Sequence, residues 1–274
     1  MIKHLIHSFK RKIARRVTKK YPVKMDTFNI PGMGHVEFAN WENPLVAPKV
    51  ISGDLIGFFR KFINEGDLAI DIGANIGHIS VTMSLITGKK GRVLSFDPNP
   101  FVFEILKENA KLNADKTCIE PYNFAITDHD ESFYYNSSEA SFNNGGISRE
   151  MENRHGKYSL STKIKGINLE AFLLKNYPDS MGKIKLIKID TEGYDMEIIK
   201  SISGLLNTYH PTVITECFGK TNPEERYMHF DLLKSKGYSV YFYSDFDVNA
   251  TIIPIEKKED MLQWKHFDMV AIME

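Results

Sequence analysis

From Leu68 onward the chain alternates short apolar runs with segments of helical period. Residues 68–72, 93–96, 118–126, 184–189 and 212–217 read as strands, and residues 76–86, 98–112, 197–206 and 224–236 as helices. Pro98 and Pro100 suit a first helical turn, where the missing N–H costs nothing. Apolar runs separated by helices predict a mostly parallel sheet covered on both faces. Residues 238–243 and 269–273 follow with no clear helix between them, which makes one of the two antiparallel. Upstream, residues 35–39 and 50–51 read as short strands, and residues 52–64 as a helix closing on Gly66. Residues 127–166 break the rhythm. They are polar, with a turn at Asn143-Asn144-Gly145-Gly146 flanked by possible hairpin strands at 132–135 and 159–164. A polar insertion this long in a compact domain commonly carries function, and we assign it to the side of the acceptor.

Residues 2–20 set Ile2, Leu5, Phe9, Ile13 and Val17 on one helical stripe, and residues 1–25 hold nine Lys or Arg and no acid. Two readings fit: a helix lying on an anionic membrane, or a helix packing its stripe on the domain. The organisation expected is a basic amphipathic helix over 1–24, a lead-in over 25–66 and an α/β domain over 67–274.

Composition narrows the picture. Lys plus Arg and Asp plus Glu are 35 each, so formal net charge is zero. That balance argues against a nucleic-acid partner bound over the whole surface. Cys118 and Cys217 are the two cysteines and sit in apolar runs, as small buried hydrophobes in a reducing cytosol would. No apolar run approaches bilayer length. The expected location is cytoplasmic, with residues 1–20 able to touch the inner face of the membrane.

The chemistry starts at Asp71-Ile72-Gly73-Ala74-Asn75-Ile76-Gly77, where an apolar strand ends in an acid and a small-residue turn opens a helix. Such a turn at the carboxyl end of a parallel strand is a nucleotide-type site. Asn75 stands where a dinucleotide fingerprint needs its second Gly, which disfavours a pyrophosphate and a nicotinamide oxidoreductase. S-adenosylmethionine carries no phosphate. Asp97 ends the next strand, twenty positions beyond Gly77, where an acid can accept both ribose hydroxyls.

Four segments together resemble the FkbM-type family of S-adenosylmethionine-dependent methyltransferases: residues 71–77, residues 96–100 with Asn109 and Asn113 downstream, residues 123–126, and residues 188–195. The resemblance covers about residues 50 to 220. It implies a Rossmann-like class I methyltransferase fold, α/β, with seven strands and an antiparallel C-terminal hairpin. It further implies that Asp71, Gly73, Asn75 and Gly77 line the methionine end of the cofactor and that Asp97 binds the ribose. Asn99 would lie beside the nucleoside, and Asn123 to Ala125 would border the adenine. Asp195 departs from the family pattern, where Glu is more usual, and His78 from a position that is often aromatic.

Methyl transfer to an alcohol requires a base within hydrogen-bond reach of the hydroxyl. Asp190 and Glu192 follow the strand at 184–189 directly and are the candidates; the alternatives are a helix cap or a contact with the cofactor ammonium for Asp190, and a favourable place at a helix start for Glu192. Glu216 ends its strand on the same edge, so these three acids could hold a hard cation, although no His assists and no metal is expected. Asp195 reads as structural, and His155 as a solvated residue or an alternative base. Aromatics at 134, 135, 142 and 158 serve either packing or a sugar platform. The expected activity is O-methylation of a hydroxyl, on a glycan sugar or a small-molecule secondary metabolite. N-methylation of an amide and cofactor binding without transfer are the alternatives.

Overall fold

A computed structural model describes the backbone of residues 2–150 and 156–273, and side chains from residue 6 onward within those spans. Helix α1 (Ile2–Ala14) precedes a hairpin, β1 (Val23–Ile30) and β2 (Gly34–Trp41), and then α2 (Gly53–Phe59). The alternating core follows as β3 (Leu68–Ile72), α3 (His78–Thr87), β4 (Arg92–Phe96), α4 (Pro100–Leu112) and β5 (Ile119–Tyr122). The insertion comprises β6 (Ala125–Thr127), β7 (Glu131–Ser137), β8 (Gly146–Ser148), β9 (Tyr158–Ser159) and β10 (Ile164–Asn168). The chain returns to the core through α5 (Leu169–Asn176), β11 (Ile184–Ile189), α6 (Asp195–Ser201), α7 (Ser203–Tyr209), β12 (Thr212–Cys217) and α8 (Pro223–Ser235). It finishes with β13 (Tyr238–Tyr243), β14 (Ile252–Ile255) and β15 (Phe267–Met273).

The main sheet has eight strands in the order β14-β13-β15-β12-β11-β3-β4-β5. The five from β12 to β5 are mutually parallel. β15 enters antiparallel between β12 and β13, and β14 adds an antiparallel edge. This is the class I methyltransferase arrangement, α/β and Rossmann-like, with one strand more than expected. Strand alternation builds two cores. Leu68, Ile70 and Ile72 face α5 to α8, while Ala69 and Val93 face α2, α3, α4 and the hairpin.

Several expected boundaries move. Residues 118–126 split into β5 in the main sheet and β6 in a second, five-stranded sheet with β10, β7, β8 and β9, because the chain turns at Asn123-Phe124. Residues 197–206 span two short helices that meet at Ile202. Val50 and Ile51 form no strand, whereas β1, which alternates polar and apolar at a half-exposed edge, does. Helix α1 ends at Ala14, well short of residue 24.

The lead-in hairpin is tied to the core by two amides of α4. Asn109 accepts the N–H of Ala39 at 2.7 Å and donates to its carbonyl at 3.1 Å, and Asn113 does the same for Glu37 at 3.0 and 2.9 Å. Four residues of helix rise about 6 Å, close to two residues of strand. Amides spaced four apart on α4 therefore pair with alternate residues of β2 as a neighbouring strand would.

Candidate active site

An open cleft lies at the carboxyl ends of β3, β4 and β11, closed on one side by the insertion. Crevices outside the carboxyl ends of parallel strands are where open α/β sheets bind small molecules. Gly73, Asn75, Asp97, Asn99, Ala125, Asp190 and Glu192 all line it, brought together from four separate loops.

Asp97 is the fixed point of the cleft. It is 6% exposed, and its carboxylate accepts the N–H of Asn75 at 2.7 Å on one oxygen and the N–H of Asn99 at 2.8 Å on the other. Burial raises its pKa to about 7, against the pull of those two amides. Each oxygen keeps a lone pair for a further donor. Asn75 adopts φ 51°, a left-handed conformation that Asn tolerates, and its own side chain accepts the N–H of Ile76 at 2.8 Å. Asn99 caps α4 through Phe101 and donates to the Phe142 carbonyl at 2.6 Å. That bond ties the insertion to the end of β4, and the stacked rings of Phe101 and Phe142 reinforce it.

Three expected residues do not line the cleft. Asp71 is fully buried beneath it, accepting from Ser80 at 2.6 Å and lying 3.8 Å from the Lys188 ammonium. Gly77, at φ 88°, gives α3 room against α4, since a Cβ there would meet Leu106 at 2.7 Å. Asn123 spends its amide on the Asp97 carbonyl at 2.8 Å and so supports the Asp97 turn from behind. Gly73 does line the cleft, but its immediate constraint is protein: a Cβ would sit 1.8 Å from the Asp190 carbonyl.

The opposite wall is acidic. Lys188 is buried and donates to Asp190 at 3.0 Å. Burial alone would lower its pKa, but Asp190 and Asp71 outweigh that and raise it, so the ammonium stays charged. Asp190 is therefore partly neutralised. Glu192 is half-buried, sits at φ 56° and makes no side-chain hydrogen bond among the described residues. Burial, then the nearby Asp190 charge, raises its pKa. Strained backbone and an unengaged carboxylate in a cleft are the marks of a reactive position.

Asp195 lies below this wall. It is 2% exposed and accepts from Thr191, Thr215 and the N–H of Glu216. Glu216 borders a neighbouring cavity, with one oxygen held by His266 Nε2 at 2.6 Å. Burial raises its pKa to about 9, helped by Asp190. No cluster of acids and His able to hold a metal occurs among the described residues. His78 bonds the Val50 carbonyl at 2.8 Å, and burial lowers its pKa to about 4. His155 lies outside the described residues.

Tyr135, one of the aromatics expected to serve packing or a sugar platform, also lines the cleft, as do Lys49, Asn143 and Asn144, unforeseen as individual site residues. Lys49 arrives from the lead-in, held by the Asn40 side chain at 2.7 and 2.9 Å. Tyr135 comes from β7 and is 5% exposed. The signal for the insertion was its length and polarity; nothing local singled out Lys49.

Residues 71–240 match the model of the methyltransferase FkbM domain. The hexuronic acid methyltransferase AglP of Haloferax volcanii is 27% identical over 176 residues, covering 63% of this chain and 64% of that protein. Methyltransferase sdnD of Sordaria araneosa is 23% identical over 154 residues, covering 48% of this chain and 59% of its own. The chain thus spans less than two thirds of the length of either curated relative. The crystal structure of methyltransferase FkbM from Methylobacillus flagellatus superposes with a TM-score of 0.43 at 12% identity, covering 76% of this chain and 44% of that one. Among the described residues no helix is long and apolar enough to cross a membrane.

Proposed function

The chain belongs to the FkbM methyltransferase domain family, whose members use S-adenosylmethionine, and we propose that it O-methylates a hydroxyl of a sugar. The observation that carries the reading is the cleft itself, with Asp97 on one wall and the unengaged Glu192 on the other. The acceptor class draws support from the hexuronic acid methyltransferase among the relatives.

The donor set of the cleft fits the cofactor. Asp97 has lone pairs for the ribose hydroxyls, and Phe124, Ala125 and Ile126 offer an apolar edge to the adenine. Lys49 suits an α-carboxylate, while Asp190 suits the positive ammonium. S-adenosylmethionine supplies a methyl group already activated on sulfur. The protein then has to align the acceptor oxygen and take its proton.

Glu192 is the better base of the two acids. Asp190 is already engaged by the Lys188 ammonium, whereas the Glu192 carboxylate has no such partner. Glu192 would take the hydroxyl proton as the acceptor oxygen bonds the methyl carbon and the carbon–sulfur bond breaks, its electron pair staying on the departing thioether. Glu192→Gln is expected to lower kcat by about 10²-fold or more while cofactor affinity changes little. Asp190→Asn should act more on binding, because it leaves the Lys188 charge buried with only Asp71 beside it.

The test is calorimetry with S-adenosylhomocysteine and NAD, followed by a mass screen for methyl gain on uronic-acid glycans, neutral glycans and peptides. Binding of S-adenosylhomocysteine and methylation of a glycan hydroxyl are expected. Tight NAD binding without S-adenosylhomocysteine would refute the methyltransferase reading. Methylation confined to peptide amides would refute the sugar acceptor.

A further inference from the structure

We infer that helix α1 is a docking face for an anionic lipid bilayer. The helix joins the body at its C-terminal end. Ala14 is fully buried and Ser8 half-buried, the Arg15 side chain pairs with Glu139 at 3.4 Å, and the Arg15 carbonyl accepts the N–H of Ala140 at 3.2 Å. Ile6 and Phe9 are 51% and 64% exposed.

Helical spacing makes that contrast informative. At 3.6 residues per turn, Ile6, Phe9 and Ile13 share one stripe, whereas Ser8 and Ala14 lie off it. A helix kept for packing turns its apolar stripe inward. This one buries Ala14 and leaves Ile6 and Phe9 outside, with Ile13 half-buried.

Charge selects the occupant. Lys10 and Lys12 flank the stripe on opposite sides, and Arg16, Lys19 and Lys20 extend the basic surface, all of them exposed. Residues 1–25 contain no acid. Lys and Arg stems can lie along an apolar surface while their charges reach anionic headgroups. A second copy of the chain packed stripe to stripe would set these basic residues against their own counterparts. The contact also reaches the cleft, because Glu139 and Ala140 lead directly into Phe142, whose carbonyl holds Asn99. The end of helix α1 is therefore tied to the same insertion that forms one wall of the cleft.

Vesicle flotation of the full chain tests this without any activity measurement, so its outcome is independent of the methyl-transfer reading. The wild type is expected to float with phosphatidylcholine vesicles containing phosphatidylglycerol, not with pure phosphatidylcholine, and less as salt is added. Ile6→Glu with Phe9→Glu should abolish flotation. Lys10→Ser, Lys12→Ser and Lys20→Ser together should weaken it about 100-fold, at about fivefold per charge. These side chains are exposed, so unchanged circular dichroism and thermal unfolding verify that both variants fold. No flotation of the wild type, or wild-type flotation of the folded Glu variant, overturns the proposal. So does a solution dimer that the Glu variant dissolves, since the stripe would then belong to a second copy.

Discussion

Asp97 holds two loops by their backbone amides with the same carboxylate that faces the ligand space. Its pKa of about 7 couples binding to pH. The ionised form is the better acceptor for hydroxyl donors, so affinity for S-adenosylhomocysteine should rise between about pH 6 and pH 8 and level off above. Asp97→Asn should flatten that profile and weaken binding by about 1.5–3 kcal/mol, measured by calorimetry across pH. A profile unchanged in this variant would remove Asp97 from the ligand. Asp97 was legible in the sequence because a strand, an acid and a spacing are local signals. Lys188 was not: a single Lys in an apolar run looks like an outward residue, and only the fold shows it buried between Asp71 and Asp190.

At the scale of elements, the turns after β3 and β11 touch backbone to backbone. Gly73, at φ 78°, leaves no room for a Cβ beside the Asp190 carbonyl. Gly73→Ala should therefore push the two turns apart, costing about 2–4 kcal/mol of stability by left-handed strain and overpacking. Urea unfolding measures that loss, and ligand affinity should fall with it. The strand and helix order of the core could be read from periodicity, since each buried run is long enough to decide its own period. The hairpin could not. β1 is half-exposed, and its partner β2 is completed on the other edge by Asn109 and Asn113, seventy-odd residues away in sequence. Asn109→Ala removes three hydrogen bonds, to Ala39 and Ile76. It should destabilise the protein by about 2–4 kcal/mol, because it strands buried peptide groups. If lead-in and core form one unit, as we propose, chemical unfolding of this variant stays a single transition.

Across the whole molecule, buried carboxyls outweigh the groups that usually set acid stability. Burial raises Asp97 and Asp195 to about 7, Asp268 to about 6 and Glu216 to about 9. A folded-state pKa above the unfolded value means that the folded protein keeps its proton longer, so stability falls as pH rises through that interval. The acids with lowered values, Asp26, Asp128 and Glu131, belong to pairs near the surface, where such pairs contribute little. The urea midpoint of the ligand-free protein should therefore be higher near pH 6.5 than near pH 8.5, and Glu216→Gln should remove most of the decline above pH 7. A midpoint that rises over this range would contradict the assigned burial of these groups.

The central position of β15 has a consequence for how the protein is made. Cys217 and Phe267 are register partners, yet fifty residues of chain separate them. On the ribosome β12 emerges early and waits with an open edge, Val213 to Cys217, until the strand that covers it has been translated. During that interval β13 has no neighbour to bring it onto the growing sheet, and its Tyr-rich surface is free to meet other nascent chains. The chain is thus most exposed to aggregation until β15 takes its place between β12 and β13, and anything that delays that insertion prolongs the exposure.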